Sequence, residues 1–245
     1  MQVTQTLRSS EVKTHMRTIR EVREEELAEF GRITVEAFPG MKVDTPEARE
    51  RMIERLAAVM KEPMVHFFGV YEGEQMGGVM RCYDFTMKVR GVRTLVGGVG
   101  GVAVDLRHKK SHVAADMIRY FLDYYRQKGA GLVALYPFRP DFYHRMGFGY
   151  GVKMNRYSFR PEALPNAGRG ATVDFLGQAH REEIAACYER YLERTNGLIA
   201  MPSYLLDALL NDTSSRIVGY REDGRLRGYA VFRFEPAPGD NWLVN

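Results

Sequence analysis

Residues 102–147 constrain this chain more than any other stretch. They read as an apolar strand (Val102, Ala103, Val104), a basic turn (Arg107, His108, Lys109, Lys110, Ser111) and an amphipathic helix. A second apolar strand follows over 132–136, then Phe142-Tyr143-His144-Arg145-Met146-Gly147-Phe148. A strand that feeds a cationic turn at a helix N-terminus gathers unpaired N–H groups and the positive end of the helix dipole at one spot. The ligand this device suits is a phosphate.

The glycines just upstream test which phosphate ligand is meant. Gly98-Val99-Gly100-Gly101-Val102-Ala103 matches the G-x-G-x-x-A dinucleotide fingerprint letter for letter. That fingerprint works only where the glycines form the turn between strand and helix. Here the strand residues follow the glycines and the turn comes later, so no nicotinamide or flavin site is expected. A P-loop is excluded because Lys110-Ser111 lacks the preceding glycines.

Lys109-Lys110-Ser111-His112-Val113-Ala114, downstream of Val104, lines up with the [RQ]-x-x-G-x-[GA] signature of the Gcn5-related N-acetyltransferases (GNAT), and Phe142-Tyr143-x3-Gly147-Phe148 with their F-Y-x-x-x-G-[FYW] element. Within that superfamily the chain most resembles the Eis-like (enhanced intracellular survival) aminoglycoside acetyltransferases, through Glu36-Ala37-Phe38-Pro39, the strand over 98–104 and Leu135-Tyr136-Pro137-Phe138. The resemblance covers residues 17–245 and is specific around 98–151. It implies an α/β (α+β mixed sheet) GNAT fold and acetyl-CoA as the acyl donor. The acceptor it implies is a small-molecule amine or a lysine-bearing substrate. It also implies a homo-oligomer for the full-length protein.

The departures matter as much as the matches. His112 stands where the family pattern has its first glycine, and Lys109 where Arg or Gln is usual. A side chain at His112 is expected to crowd the closest approach of backbone to phosphate.

The resemblance assigns the site residue by residue. Backbone amides of Lys110, Ser111, His112, Val113, Ala114 and Ala115 hold the pyrophosphate, with Lys109 and Lys110 adding charge. Val102, Ala103 and Val104 offer a strand edge to the pantetheine arm, as strand addition does elsewhere; by side chain alone these are ordinary core residues. Phe138 lies on the cofactor side. Tyr143 is the catalytic candidate, a phenol that protonates the departing thiolate as general acid. Glu36 and Phe38 are substrate-binding candidates. The base is open: His108, His112 and His144 are candidates, while the Eis-like pattern puts the base at a C-terminal carboxylate beyond Asn245. No His/Cys/Asp cluster has metal-ligand spacing.

Periodicity organises the rest. Leu27, Phe30, Ile33 and Ala37 mark a helix over 24–37; Thr45 and Pro46 open a second; 65–71 and 77–85 read as strands joined by Glu72-Gly73-Glu74-Gln75. Ala114, Ile118, Phe121, Leu122 and Tyr125 form the apolar stripe of the helix after the basic turn, which Gly129 stops. The same order recurs: helices over 181–193 and 202–210, strands over 217–220 and 228–234. Gly73 and Gly77 share a spacing with Gly224 and Gly228, which suggests internal duplication.

The domains expected are an extension over 1–15, a GNAT acetyl-CoA-binding domain over 16–160, a linker over 161–170, and over 171–245 a second GNAT-like unit that stops at the start of a strand. A fragment of a longer protein is the expectation that follows. A net charge of +4 and a pI near 9.0 are mild, which argues against a nucleic-acid partner. Cys82 and Cys187 sit in apolar-periodic segments and read as reduced core residues. With no apolar run of membrane-spanning length and no signal-like N-terminus, a cytoplasmic protein without a membrane partner is expected. Two rival readings remain: a non-catalytic binding or regulatory protein on the same fold, and an aminoacyl transferase of cell-wall synthesis, which also pairs such domains.

Overall fold

The computed structural model describes residues 17–41, 43–151, 155, 163, 172–236 and 242–244. The expected extension over 1–15, all of the linker over 161–170 but Ala163, and Asn245 lie outside the described residues. The chain divides into two compact units. One comprises Met1–Asp84, Gly97–Gly129 and Val133–Tyr136; the other comprises Phe85–Val96, Ala130–Leu132 and Pro137–Asn245.

The elements run β1 (Arg17–Glu21), α1 (Leu27–Ala37), α2 (Pro46–Met60), β2 (Val65–Glu72), β3 (Gln75–Val89), β4 (Val92–Val104), α3 (Val113–Gln127), β5 (Leu132–Leu135) and α4 (Pro140–His144). They continue β6 (Thr172–Leu176), α5 (Arg181–Leu192), α6 (Ser203–Asn211), β7 (Ser215–Glu222), β8 (Arg225–Pro236) and β9 (Trp242–Val244). Strands β1 to β5 form one sheet in chain order and β6 to β9 a second. The β1/β2 and β2/β3 pairs are antiparallel, whereas β4 reaches its neighbour β5 through the helical crossover α3, the connection a parallel pair requires. The first sheet is therefore mixed.

Local chemistry explains the boundaries. Thr45 Oγ1 accepts from Ala48 N at 3.2 Å and Pro46 occupies the first helical position, so α2 starts where the sequence places it. Gly129 adopts φ +79° directly after α3, the left-handed stop that glycine takes without a Cβ clash. The stripe of α3 sits partly one residue from its expected place: Val113, Met117, Ile118, Phe121 and Tyr125 are buried, Ala114 and Leu122 only half-buried.

In the first unit the sheet carries side chains on both faces. Phe67 meets Phe30 of α1 with ring centroids 5.0 Å apart, and Phe68, pointing the other way, meets Tyr120 and Tyr124 of α3 at 5.0 and 5.1 Å. Each large side chain so buried contributes about 1.5–3 kcal/mol relative to exposure. Glycine lets α3 come this close to the strands. A Cβ on Gly78 would stand 2.7 Å from Val113 Cγ1, and one on Gly97 would overlap the Tyr125 ring. Tyr125 in turn donates to Asp84 at 2.9 Å. Asp84 also accepts from Lys128 at 2.6 Å and meets His66 at 3.0 Å. Burial pushes the Asp84 carboxyl up, and these hydrogen bonds outweigh it and hold the group below the usual range.

The second unit packs Leu176, Ile184, Cys187, Leu206, Ile217 and Leu226 into its own core. It includes the tip of the β3–β4 hairpin, which extends beyond the expected strand end at residue 85. The tip binds the 197–200 segment through Lys88 N to Leu198 O (3.1 Å), Gly197 N to Lys88 O (2.7 Å) and Ala200 N to Thr86 O (2.8 Å).

The internal repeat is visible in the strand registers. β2 and β3 pair Val65 with Tyr83 and Phe67 with Arg81, with an irregularity between Val70 and Tyr71. β7 and β8 pair Ser215 with Arg233 and Ile217 with Val231, with the same irregularity between Tyr220 and Arg221. The match is position for position, and it corrects the glycine alignment: Gly228 corresponds to Gly78, not to Gly77. Among the described residues no helix is long and apolar enough to cross a membrane.

Candidate functional site

The site is built on the β4–turn–α3 segment of the first unit. Gly98, Gly100 and Gly101 lie inside β4, not in the turn, which is the physical reason the dinucleotide fingerprint fails. Asp105 ends the strand and caps a short 3-10 turn, Leu106–His108, by accepting from Arg107 N at 2.8 Å. Its side chain is 1% exposed. The charge is satisfied from two directions: Arg107 gives Nε at 2.9 Å and Nη2 at 2.7 Å, and Arg32 of α1 gives Nη2. Hydrogen bonds from Arg107, then from Arg32, overcome the burial penalty and hold the Asp105 carboxyl well below the usual carboxylate range.

Beyond this anchor the turn exposes its cations. Lys109, Lys110 and His112 are exposed, and Lys110 and His112 both adopt left-handed backbone, at φ +66° and +65°. His112 is the N-cap of α3, yet its side chain makes no capping bond. The glycine preference at that place thus has a conformational cause, φ > 0, and the imidazole points into solvent. Non-glycine residues in this region cost of order 1–3 kcal/mol each, and such strain gathers at functional turns. Ser111 is occupied, its hydroxyl donating to His108 O and its carbonyl accepting from Arg17 Nη1 at 2.6 Å. Arg17 also holds Asp116 of the first helical turn at 2.9 Å.

The first helical hydrogen bond runs from Asp116 N to His112 O at 3.1 Å. The amides of Val113, Ala114 and Ala115 precede it and have no partner among the described residues, as helix geometry dictates. Free amides, two exposed lysines and a left-handed turn suit a pyrophosphate.

Glu36 is exposed and ion-paired with Arg32 Nη1 at 2.6 Å, and Arg32 also holds Glu29 at 2.6 Å. Phe38 ends α1, its N–H bonded to Thr34 O at 3.0 Å. Sequence reasoning passed over Asp105 and Arg32, although an Asp between an apolar strand and a basic turn is a capping signal.

Within the second unit, Tyr143 of α4 is 5% exposed, its ring edge-on to Phe142 (5.1 Å), Phe148 (6.0 Å) and Phe138 (6.4 Å). Phe138 is 64% exposed. Burial pushes the Tyr143 phenol up, so it carries its proton at neutral pH. His144 lies against Tyr150, ring centroids 6.1 Å apart. Both cysteines are buried, and burial pushes the Cys82 thiol up to about 12. Among the described residues no group of His, Cys, Asp and Glu could hold a metal ion.

A family model for the acetyltransferase (GNAT) domain matches residues 18–151. An uncharacterised N-acetyltransferase of Streptomyces coelicolor is 30% identical over 183 residues, 69% of this chain and 44% of that protein. The N-acetyltransferase Eis of Mycobacterium tuberculosis is 26% identical over 179 residues, 68% of this chain and 44% of its own. The chain therefore spans about half the length of the curated relatives it matches. Among solved structures, a GCN5-related N-acetyltransferase from Kribbella flavida superposes with a TM-score of 0.76 at 23% identity, covering 92% of this chain and 56% of that one.

Proposed function

The chain belongs to the GNAT acetyltransferase family, and from that membership we propose that it is an acetyl-CoA-dependent N-acetyltransferase acting on a primary amine of aminoglycoside, polyamine or lysine type. The observation that carries the reading is the first turn of α3, with three unpartnered amides beside Lys109 and Lys110 and a backbone already in the left-handed geometry an anion cradle needs. Those amides and lysines hold the pyrophosphate. The main-chain edge of Val102 and Val104 pairs with the pantetheine arm and points an N–H at the thioester oxygen, where negative charge develops.

The thioester supplies an activated acetyl group: the amine nitrogen bonds the acyl carbon, the C–S bond breaks, and the sulfur leaves as thiolate. Tyr143 keeps a proton at neutral pH and gives it to that sulfur; the attacking nitrogen loses a proton to water, and the phenolate recovers one from water. Attack is direct. A cysteine relay needs an accessible thiolate, whereas both cysteines are buried and burial pushes the Cys82 thiol up to about 12.

Acetyl-CoA is expected to raise the melting temperature by mass action, and Lys109→Glu with Lys110→Glu to abolish the rise. Both lysines are exposed, so the double variant folds normally. An equal rise in the two proteins would overturn the assignment.

A further inference from the structure

Arg81 of the first unit is a half-buried cation with no counter-charge among the described residues. Arg81 lies in the middle of β3 and is half-buried; its Nε is fully buried without a hydrogen-bond partner, and no carboxylate among the described residues pairs with the guanidinium. Burying a charge without a partner is costly, so buried guanidinium groups are nearly always paired. Among the described residues Arg81 Nε is thus left open to an anionic partner.

Its surroundings say where that partner sits. A Cβ on Gly101 would lie 3.2 Å from Arg81 Nε and 3.3 Å from Nη2, and one on Gly100 would lie 3.4 Å from the Tyr83 ring. Two successive residues of β4 thus face the same side of the sheet, and Gly101 has φ +60°. Both are marks of a bulge, a device that re-aims a strand beside a site. The face is the one that carries Phe67, Arg81's pairing partner, against Phe30 of α1. Strand architecture does not ask for the arginine, since the corresponding position of the repeat, paired with Ile217, is Val231.

We propose that Arg81 binds a carboxylate on the acyl acceptor, so that the preferred amine is one that carries its own carboxylate, as a free amino acid does. This rests on the transferase reading above, in which the donor's arm lies along Val102–Val104; Gly100 and Gly101, beside Tyr83 and Arg81, are the residues of β4 just before that edge. A guanidinium there pairs with a carboxylate, bidentate where geometry allows. It repels a polycation. Among amines of the classes named above, the lysine type is therefore selected and spermidine-like or aminoglycoside-like acceptors are disfavoured.

The test compares L-lysine, L-glutamate, their α-carboxamides and spermidine, by thiol release from acetyl-CoA and by calorimetric binding in the presence of CoA. Wild type is expected to favour the free carboxylates at least tenfold over the carboxamides and over spermidine, in both readouts. Arg81→Met is expected to weaken carboxylate binding ~10- to 100-fold, the range for a charge-assisted hydrogen bond. Carboxamide binding and the acetyl-CoA melting shift should stay unchanged. Arg81→Lys, which keeps the charge, should retain part of the preference. Preference for spermidine, binding of none of the carboxylates, or a carboxylate preference intact in Arg81→Met would each overturn the inference while leaving acetyl-CoA binding in place. Loss of the melting shift in wild type would instead overturn the transferase reading, and this inference with it.

Discussion

Replacing Gly97 by alanine tests the contact that seats α3, and with it the anion turn, on the sheet. A Cβ there would lie 2.6 Å from Tyr125 Cδ1 and nearer still to Cγ and Cδ2. Ordinary carbon contacts sit at about 3.5–4.0 Å, so the ring has to move by roughly an ångström. It is not free to do so: Tyr125 is fully buried, and its hydroxyl is tied to Asp84 at 2.9 Å. Overpacking of this kind costs about 1–3 kcal/mol, and loss of the hydroxyl bond adds about 1 kcal/mol. The expected total is about 2–4 kcal/mol, or a melting temperature lower by roughly 5–15 °C for a chain of this size. Urea unfolding gives the free energy, with an unchanged slope as the sign that the unfolding transition is the same one. Gly97→Ala with Tyr125→Leu should cost at least about 1 kcal/mol less than the sum of the two single changes, because the leucine removes the ring that clashes. A loss below about 0.5 kcal/mol in the single variant, or strict additivity in the double, would refute the argument.

Two further outcomes follow from the site. The Asp105 carboxyl is held below its unfolded value, so its contribution to stability is full above the ordinary aspartate range, near pH 4, and is lost as pH falls toward and through the lowered folded value; the stability gap between wild type and Asp105→Asn should be constant from pH 7 to 5 and narrow by pH 3 in denaturant titrations, and a constant gap at pH 3 would remove Asp105 from the acid limb. Tyr143→Phe keeps the ring packed against Phe142 and Phe148 and removes only the hydroxyl, so kcat should fall by roughly two to four powers of ten with the KM for acetyl-CoA unchanged in steady-state kinetics; an unchanged kcat would return Tyr143 to a packing role.

What was legible in the chain was local. The apolar strand, basic turn and stripe of α3 can be read from spacing because each depends on neighbours within about a turn of helix or a few strand residues. The Asp105–Arg32 pair was not, since its partners are far apart in sequence and nothing in either segment names the other. The long β3–β4 hairpin was underestimated for the same reason. Residues 86–96 are polar enough to read as a loop, and their pairing with 197–200 is a distant event. The repeat was misaligned by one residue through the glycines themselves. A two-residue hairpin turn can take its left-handed residue at the first central position alone, as Gly73 does, or at both, as Asp223 and Gly224 do. The glycine therefore marks the turn and not the register.

The correct register also separates scaffold from chemistry. The 3-10 turn Glu24–Glu26 followed by α1 recurs as Gln178–His180 followed by α5, and the buried Phe30 and Ile33 recur as Ile184 and Cys187. These two core positions thus stay apolar in both copies. The positions that hold the anion turn do not keep their chemistry: Arg32 corresponds to Ala186, Glu36 to Arg190 and Gly77 to Arg227. Gly77 packs against the His108 ring, where a Cβ would stand 3.3 Å from Cγ, and an arginine there would displace the turn. Residues needed only for folding should survive duplication in both copies, and residues needed for one site should survive in one. By that criterion Arg32, Gly77 and Arg81 belong with the site of the first unit, their counterparts in the second being Ala186, Arg227 and Val231.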